Sequence, residues 1–164
     1  MTILAQFWKA PRRVMFAGLC VLALPMSMRA QTDSAAVVSV AQRLLDAINA
    51  GDTAVARAVL APGAQFFSTR AGGAPRRQAD TVFIRTLAAR TTKYLERMWT
   101  PVVRVKGAIA DVWAPYDFHI DGKFSHCGID TFTLLKGPNG WQIASVVYTV
   151  EPTGCAPSPL GPPR

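Results

Sequence analysis

Both histidines of the 164-residue chain, four aspartates and most of its useful aromatic side chains fall within one stretch, Ile109 to Val150. A carboxylate facing an imidazole fixes its tautomer and raises its pKa, which suits a general acid or base, so His126 with Asp117 or Asp130 is the candidate catalytic group. Trp113, Phe124 and Phe132 can wall an apolar ligand, with Trp99, Tyr116, Phe118 and Tyr148 as further ligand contacts depending on strand register. The tyrosines add a phenolic donor for a ligand carbonyl or oxyanion. Each assignment has a purely structural competitor, because cross-strand Asp–His pairs also stabilise sheets. His119, next to a hairpin tip, is expected to be solvated.

The stretch itself must position these groups. Asp121-Gly122 and Gly137-Pro138-Asn139-Gly140 divide it into three runs rich in β-branched and aromatic residues, the pattern of an antiparallel meander. A two-residue Asp-Gly loop makes Ile120 face Lys123. Counting back places Asp117 opposite His126, Trp113 opposite Asp130 and Asp111 opposite Phe132. Period-2 alternation then puts Asp111, Trp113, Asp117, His119, Phe124, His126, Asp130 and Phe132 on one face, and leaves Tyr116, Phe118 and Cys127 on the other. A bulge at Pro115 or Gly128 would exchange the faces beyond it. Ser125 and His126, as strand neighbours, should point to opposite faces, which excludes a nucleophile–base pair between them.

Upstream the pattern is helical. Val37, Val40, Ala41, Leu44, Leu45 and Ile48 form one apolar stripe on a helix from about Ser34 to Asn49. Gly51 ends it, Asp52 caps a short helix over Thr53 to Leu60, and Pro62-Gly63 stops that one. Ala64 to Thr69 reads as a strand and Arg70 to Gln78 as a polar loop. A third helix starts at Asp80 and carries Ile84, Leu87, Ala88, Thr91, Leu95 and Met98 on one face until Pro101 closes it. Val102 to Val105 opens the sheet. Segregated helices followed by consecutive strands predict an α+β domain with helices on one face of an antiparallel sheet.

Residues 1–30 read as a signal peptide: Lys9, Arg12 and Arg13, an apolar run from Val14 to Met26, and a cleavage site at Met28-Arg29-Ala30. Thirteen apolar residues are too few to span a bilayer, so no stable membrane anchor is expected and the protein should be exported to the periplasm or beyond. Loss of Lys9, Arg12, Arg13 and Arg29 lowers the excess of 18 basic over 10 acidic residues from +8 to about +4, no signature of nucleic-acid binding. Arg76-Arg77, without interleaved aromatics, reads as part of a solvated loop. Residues 31–155 then form a single domain, and 156–164 a Pro-rich disordered tail. Cys127 and Cys155 remain as an even pair, which predicts a disulfide in an exported protein provided the chain after Val150 folds back. Neither a metal nor a cofactor is expected. The spacing lacks CxxC, HExxH, GxGxxG, GxSxG and P-loop marks.

The opening segment LLDAINAGDTAVARAVLAPGAQF and the later VWAPYDFHIDGKFSHCGIDTFTLLKGPNGWQI resemble the nuclear transport factor 2-like (SnoaL-like) superfamily. The YDF-x-IDGKFSHCG-x-D run is similar to its putative lumazine-binding branch. That resemblance implies a cone in which a strongly bent sheet wraps around a long helix and two others, leaving a hollow. An exported protein binding a small hydrophobic or heteroaromatic ligand is the leading expectation. The alternatives are an isomerase, cyclase or dehydratase using His126 with Asp117 or Asp130, and an assembly domain that pairs as a homodimer through its sheet, as relatives often do.

Overall fold

The computed structural model describes residues 26–163. The n-region and most of the apolar run of the expected leader lie outside the described residues. Helix α1 spans Met26–Ala50, longer at its start than the apolar stripe requires. Val37, Ala41, Leu44 and Leu45 are buried on one side of it, at the expected helical spacing. Gly51 takes a left-handed φ of 71° at the helix end, and Asp52 caps α2 (Thr53–Val59) by accepting from the backbone N–H groups of Ala54 and Val55 at 2.9 Å. No helix among the described residues is long and apolar enough to cross a membrane.

Seven strands make one mixed sheet: β1 (Leu60–Thr69), β2 (Arg76–Ala79), β3 (Tyr94–Met98), β4 (Val102–Lys106), β5 (Ile109–Ile120), β6 (Lys123–Gly137) and β7 (Gly140–Thr149). Their order is β2-β1-β7-β6-β5-β3, and β4 also pairs with β5. Helix α3 (Asp80–Ala89) joins β2 to β3. The bent sheet and three helices are the α+β architecture expected, but the sheet is not wholly antiparallel, because β1 runs parallel to β7.

Three segments differ from expectation. The helix expected to run to Met98 stops at Ala89, where Arg90 is extended (φ −70°, ψ 144°). Thr91 and Thr92 are poor helix formers, and Tyr94 to Met98 instead satisfy their backbone groups against β5, from Tyr94↔Ile120 to Met98↔Tyr116. The loop expected over Arg70 to Gln78 contains strand β2, which forms a hairpin with β1 and pairs Arg76 with Ser68. At the Asp121-Gly122 turn both residues have positive φ, 50° and 76°, and Ile120 faces Lys123 as predicted. Three residues later the register slips, because Ser125 is an extra residue opposite Phe118 and His119. Asp117 therefore faces Cys127 and not His126, Trp113 faces Thr131 and not Asp130, and Asp111 faces Thr133 and not Phe132.

A second bulge, in β7 opposite Thr133 and Leu134, brings Cys127 beside Glu151. The chain after Val150 folds back there and Cys127 is bridged to Cys155, with Cα atoms 6.0 Å apart. Gly128 is required at this crossing: a Cβ would collide with Thr149 and with the Tyr116 ring.

Candidate functional site

The bulge at Ser125 decides which side chains share the concave face. Beyond it, even-numbered residues of β5 and β6 lie together: Tyr116 with Gly128, Phe118 with His126, Ala114 with Asp130 and Val112 with Phe132. Tyr116, Phe118, His126, Asp130 and Phe132 of these rows form one wall of a cavity of about 510 Å³ closed by Leu44, Leu45 and Ile48 of α1 and by Phe83, Thr86 and Leu87 of α3. Phe66, Ser68, Val146 and Tyr148 continue the wall across β1 and β7.

Of the residues singled out in the sequence, Tyr116, Phe118, His126, Asp130, Phe132 and Tyr148 line this cavity. Trp99, Trp113, Phe124 and Asp117 do not. Trp99 follows β3 and donates its backbone N–H to Pro115 O at 3.2 Å. Trp113 and Phe124 are about half exposed on the convex face. Asp117 is buried on that face in an ion pair with Arg97, whose Nε lies 2.9 Å from Asp117 Oδ1, and its Oδ2 is 3.5 Å from His119 Nε2. Burial alone would raise the Asp117 pKa, but the Arg97 guanidinium outweighs it and holds the carboxyl low. His119, expected in solvent, is buried beside it, and the C-terminal segment reaches this corner, where Arg97 Nη1 donates to Gly161 O at 3.0 Å.

The cavity's principal polar feature was not visible in the sequence. Glu96, on β3 opposite Phe118, meets Asp130 across the concave face. Asn49 at the end of α1 fixes Glu96 by its backbone, donating from Nδ2 to Glu96 O at 3.0 Å and accepting from Glu96 N at Oδ1 at 2.6 Å. Burial pushes the Glu96 carboxyl up to about 7, partly offset by its hydrogen bond with Asp130. Asp130, only 1 % exposed, is pushed well above the ordinary carboxylate range, first by burial and then by the charge of Glu96. Two ionised carboxylates cannot donate to each other, and Asp130 Oδ2 is buried with no hydrogen-bond partner. One proton shared between them removes the repulsion, so the pair carries one proton near neutrality.

Around this pair Tyr116, Tyr148 and His126 are neutral. Burial raises the pKa of Tyr116 and of Tyr148, and the charges of Asp130 and Glu96 raise both further. Tyr116 donates its hydroxyl to Thr149 O at 2.6 Å, so that proton is already committed. His126 stacks on Phe118 with ring centroids 4.9 Å apart, and burial, then the nearby charge of Arg70, lowers its pKa. It is therefore a neutral imidazole without the aspartate expected across from it. Ser125 Oγ does lie 3.0 Å from His126 Nδ1, contrary to the expectation from strand alternation, because the bulge turns Ser125 toward its neighbour. No group of three or more His, Cys, Asp or Glu side chains among the described residues is arranged to hold a metal ion.

Comparison with known proteins places this geometry in context. Residues 32–149 match the model of a family described as putative lumazine-binding. No curated protein matches the chain. Among solved structures, a nuclear transport factor 2-like superfamily protein from Salmonella enterica serovar Typhimurium is 16% identical with a TM-score of 0.62, covering 77% of this chain and 96% of that one. A putative dehydratase of the same fold from Streptomyces avermitilis is 17% identical with a TM-score of 0.61, covering 73% and 96%. A protein of unknown function from Mycobacterium tuberculosis is 15% identical with a TM-score of 0.68, covering 79% and 78%. At these identities the likeness is one of fold.

Proposed function

Since the chain belongs to the putative lumazine-binding family of nuclear transport factor 2-like proteins, a family of small-molecule-binding domains, we propose that it is an exported protein that holds a flat heteroaromatic compound in its cavity. The single observation that carries this reading is the Glu96–Asp130 pair set among aromatic walls. With one proton held between the two carboxyls, Asp130 Oδ2, buried and without a partner in the protein, remains as an acceptor. The N–H of a lactam or imide edge, as in a pteridine dione, is the complementary donor. Phe118, Phe132, Tyr94 and Tyr148 supply the apolar faces that such a ring system needs. The disulfide fits the oxidising compartment to which the leader would send the chain.

The convex face supports a further part of the proposal. Trp113, Val147, Leu135 and Phe124 are 43 to 50 % exposed there, and a second copy packing sheet to sheet would cover them. Native mass spectrometry of protein purified from its host's envelope tests ligand and assembly together. The expected spectrum is a dimer retaining one small molecule per subunit. An empty monomer of the full, uncleaved mass would contradict ligand, assembly and export alike.

The same carboxyl pair favours a second reading, acid–base catalysis, because a group titrating at about 7 can both give and take a proton at neutral pH. The pair would replace the His126–Asp117 combination that the register slip separates. A retained compound present both intact and lighter by one water would support a dehydratase; a single unchanged species after prolonged incubation would oppose it.

A further inference from the structure

The rim of the cavity carries a charge pattern that the reading above does not use. Arg70, Arg76 and Arg77 all line the cavity and all are exposed at its mouth, whereas the two acids of the cavity lie deep within it. Among the described residues the ion pairs are Arg97 with Asp117, His119 with Asp117, and Lys136 with Asp33, so none of the three rim arginines is neutralised by a carboxylate. Arg70 and Arg76 also share the concave side with ligand-facing groups. Arg76 stands opposite Ser68, whose hydroxyl bonds Tyr148, and the Arg70 charge is felt at both His126 and Tyr148. A merely solvated Arg70 would leave those buried rings undisturbed.

We infer that the cavity selects an anionic aromatic compound, with its carboxylate, sulfonate or phosphate at Arg70 and Arg76 and its uncharged ring system directed inward to Glu96 and Asp130. This rests on the proposed small-molecule reading and narrows its ligand class. The arginine forks match the planar or trigonal oxygens of such groups, and a charged hydrogen bond there is only partly screened because one side is closed by protein. Reversing the ligand would place its anion against the acids, which the deep carboxyls oppose.

A matched pair of fluorescent probes tests this: anilinonaphthalene sulfonate and the uncharged N-phenylnaphthylamine share a ring system and differ in the anion. The wild-type protein should bind the sulfonate about tenfold tighter than the amine, as one or two charged hydrogen bonds would give. In the Arg70→Gln, Arg76→Gln double variant the two affinities should converge to within about twofold. Equal affinities in the wild type, or a sulfonate preference that survives in the variant, would overturn the inference and leave the cavity reading standing, since both probes bind. Failure of both probes to bind would overturn the cavity reading and the inference with it. Because the readout is a ratio within one protein, partial loss of folded variant does not alter it.

Discussion

Replacing Asp130 by asparagine should make the protein more stable than wild type at pH 8, while leaving it close to wild type at pH 5. In the wild-type fold the Glu96 pKa is raised from 4.5 to about 7, so the folded state keeps a proton that the unfolded chain releases above about pH 4.5. Stability from that proton is fully present below the unfolded pKa and is lost as pH rises through about 7. The full shift corresponds to up to about 3 kcal/mol, less in so far as water in the cavity reaches the carboxyl. Asparagine cannot titrate, so the part of the slope that comes from Asp130's own raised pKa disappears, while the part from burial of Glu96 remains up to about 7. Thermal melts of the two proteins across that range decide it: converging curves at low pH and separation at high pH are expected, and parallel curves would show that the pair does not share a proton. Asp117 does not confuse the comparison. Its pKa is lowered, so its contribution is present above its unfolded pKa and is lost only as pH falls below it.

The second large effect concerns the bridge. Cys127 and Cys155 are 28 residues apart, and removing a cross-link over such a loop costs about 3 to 4 kcal/mol on the chain-entropy account. The Cys127→Ser, Cys155→Ser variant should therefore melt roughly 10 °C lower. Mature wild-type protein without reductant should weigh two hydrogens less than its fully reduced form. The bridge also holds the chain against β6 at Gly128, beside Tyr116 and Thr149, so the variant should also bind ligand less tightly. A drop below about 1 kcal/mol, or a full complement of free thiols in protein purified without reductant, would contradict this.

How much of this was legible in the sequence follows from the range of the interactions involved. The meander, its Asp-Gly turn, the Asp52 cap and the cysteine pair all rest on local signals, and each stands where the local pattern placed it. The parallel pairing of β1 with β7 joins segments at least 80 residues apart and leaves no local mark. Strand β3 was hidden because Ile84, Leu87, Thr91, Leu95 and Met98 fit a helical spacing; Thr91-Thr92 and the alternation of Tyr94, Glu96 and Met98 were the signals against it. That misreading concealed Glu96, and with it the partner of Asp130. The choice of Asp117 failed for a different reason, since one extra residue at Ser125 exchanges the faces of everything beyond it. Of the aromatic candidates, Tyr116, Phe118, Phe132 and Tyr148 reach the cavity because they sit on the even-numbered concave rows, while Trp113 lies on the odd convex row and Phe124 pairs with His119 before the bulge.

The central claim is that Glu96 and Asp130 hold one proton between them inside the cavity at neutral pH. Carbon NMR of the two labelled carboxyl groups, followed between about pH 4 and 9, reads it directly. The account predicts a step near 7 in which both carboxyl signals move together and after which one proton stays on the pair. Two independent titrations complete by about pH 5, each near the ordinary carboxylate value, would contradict it.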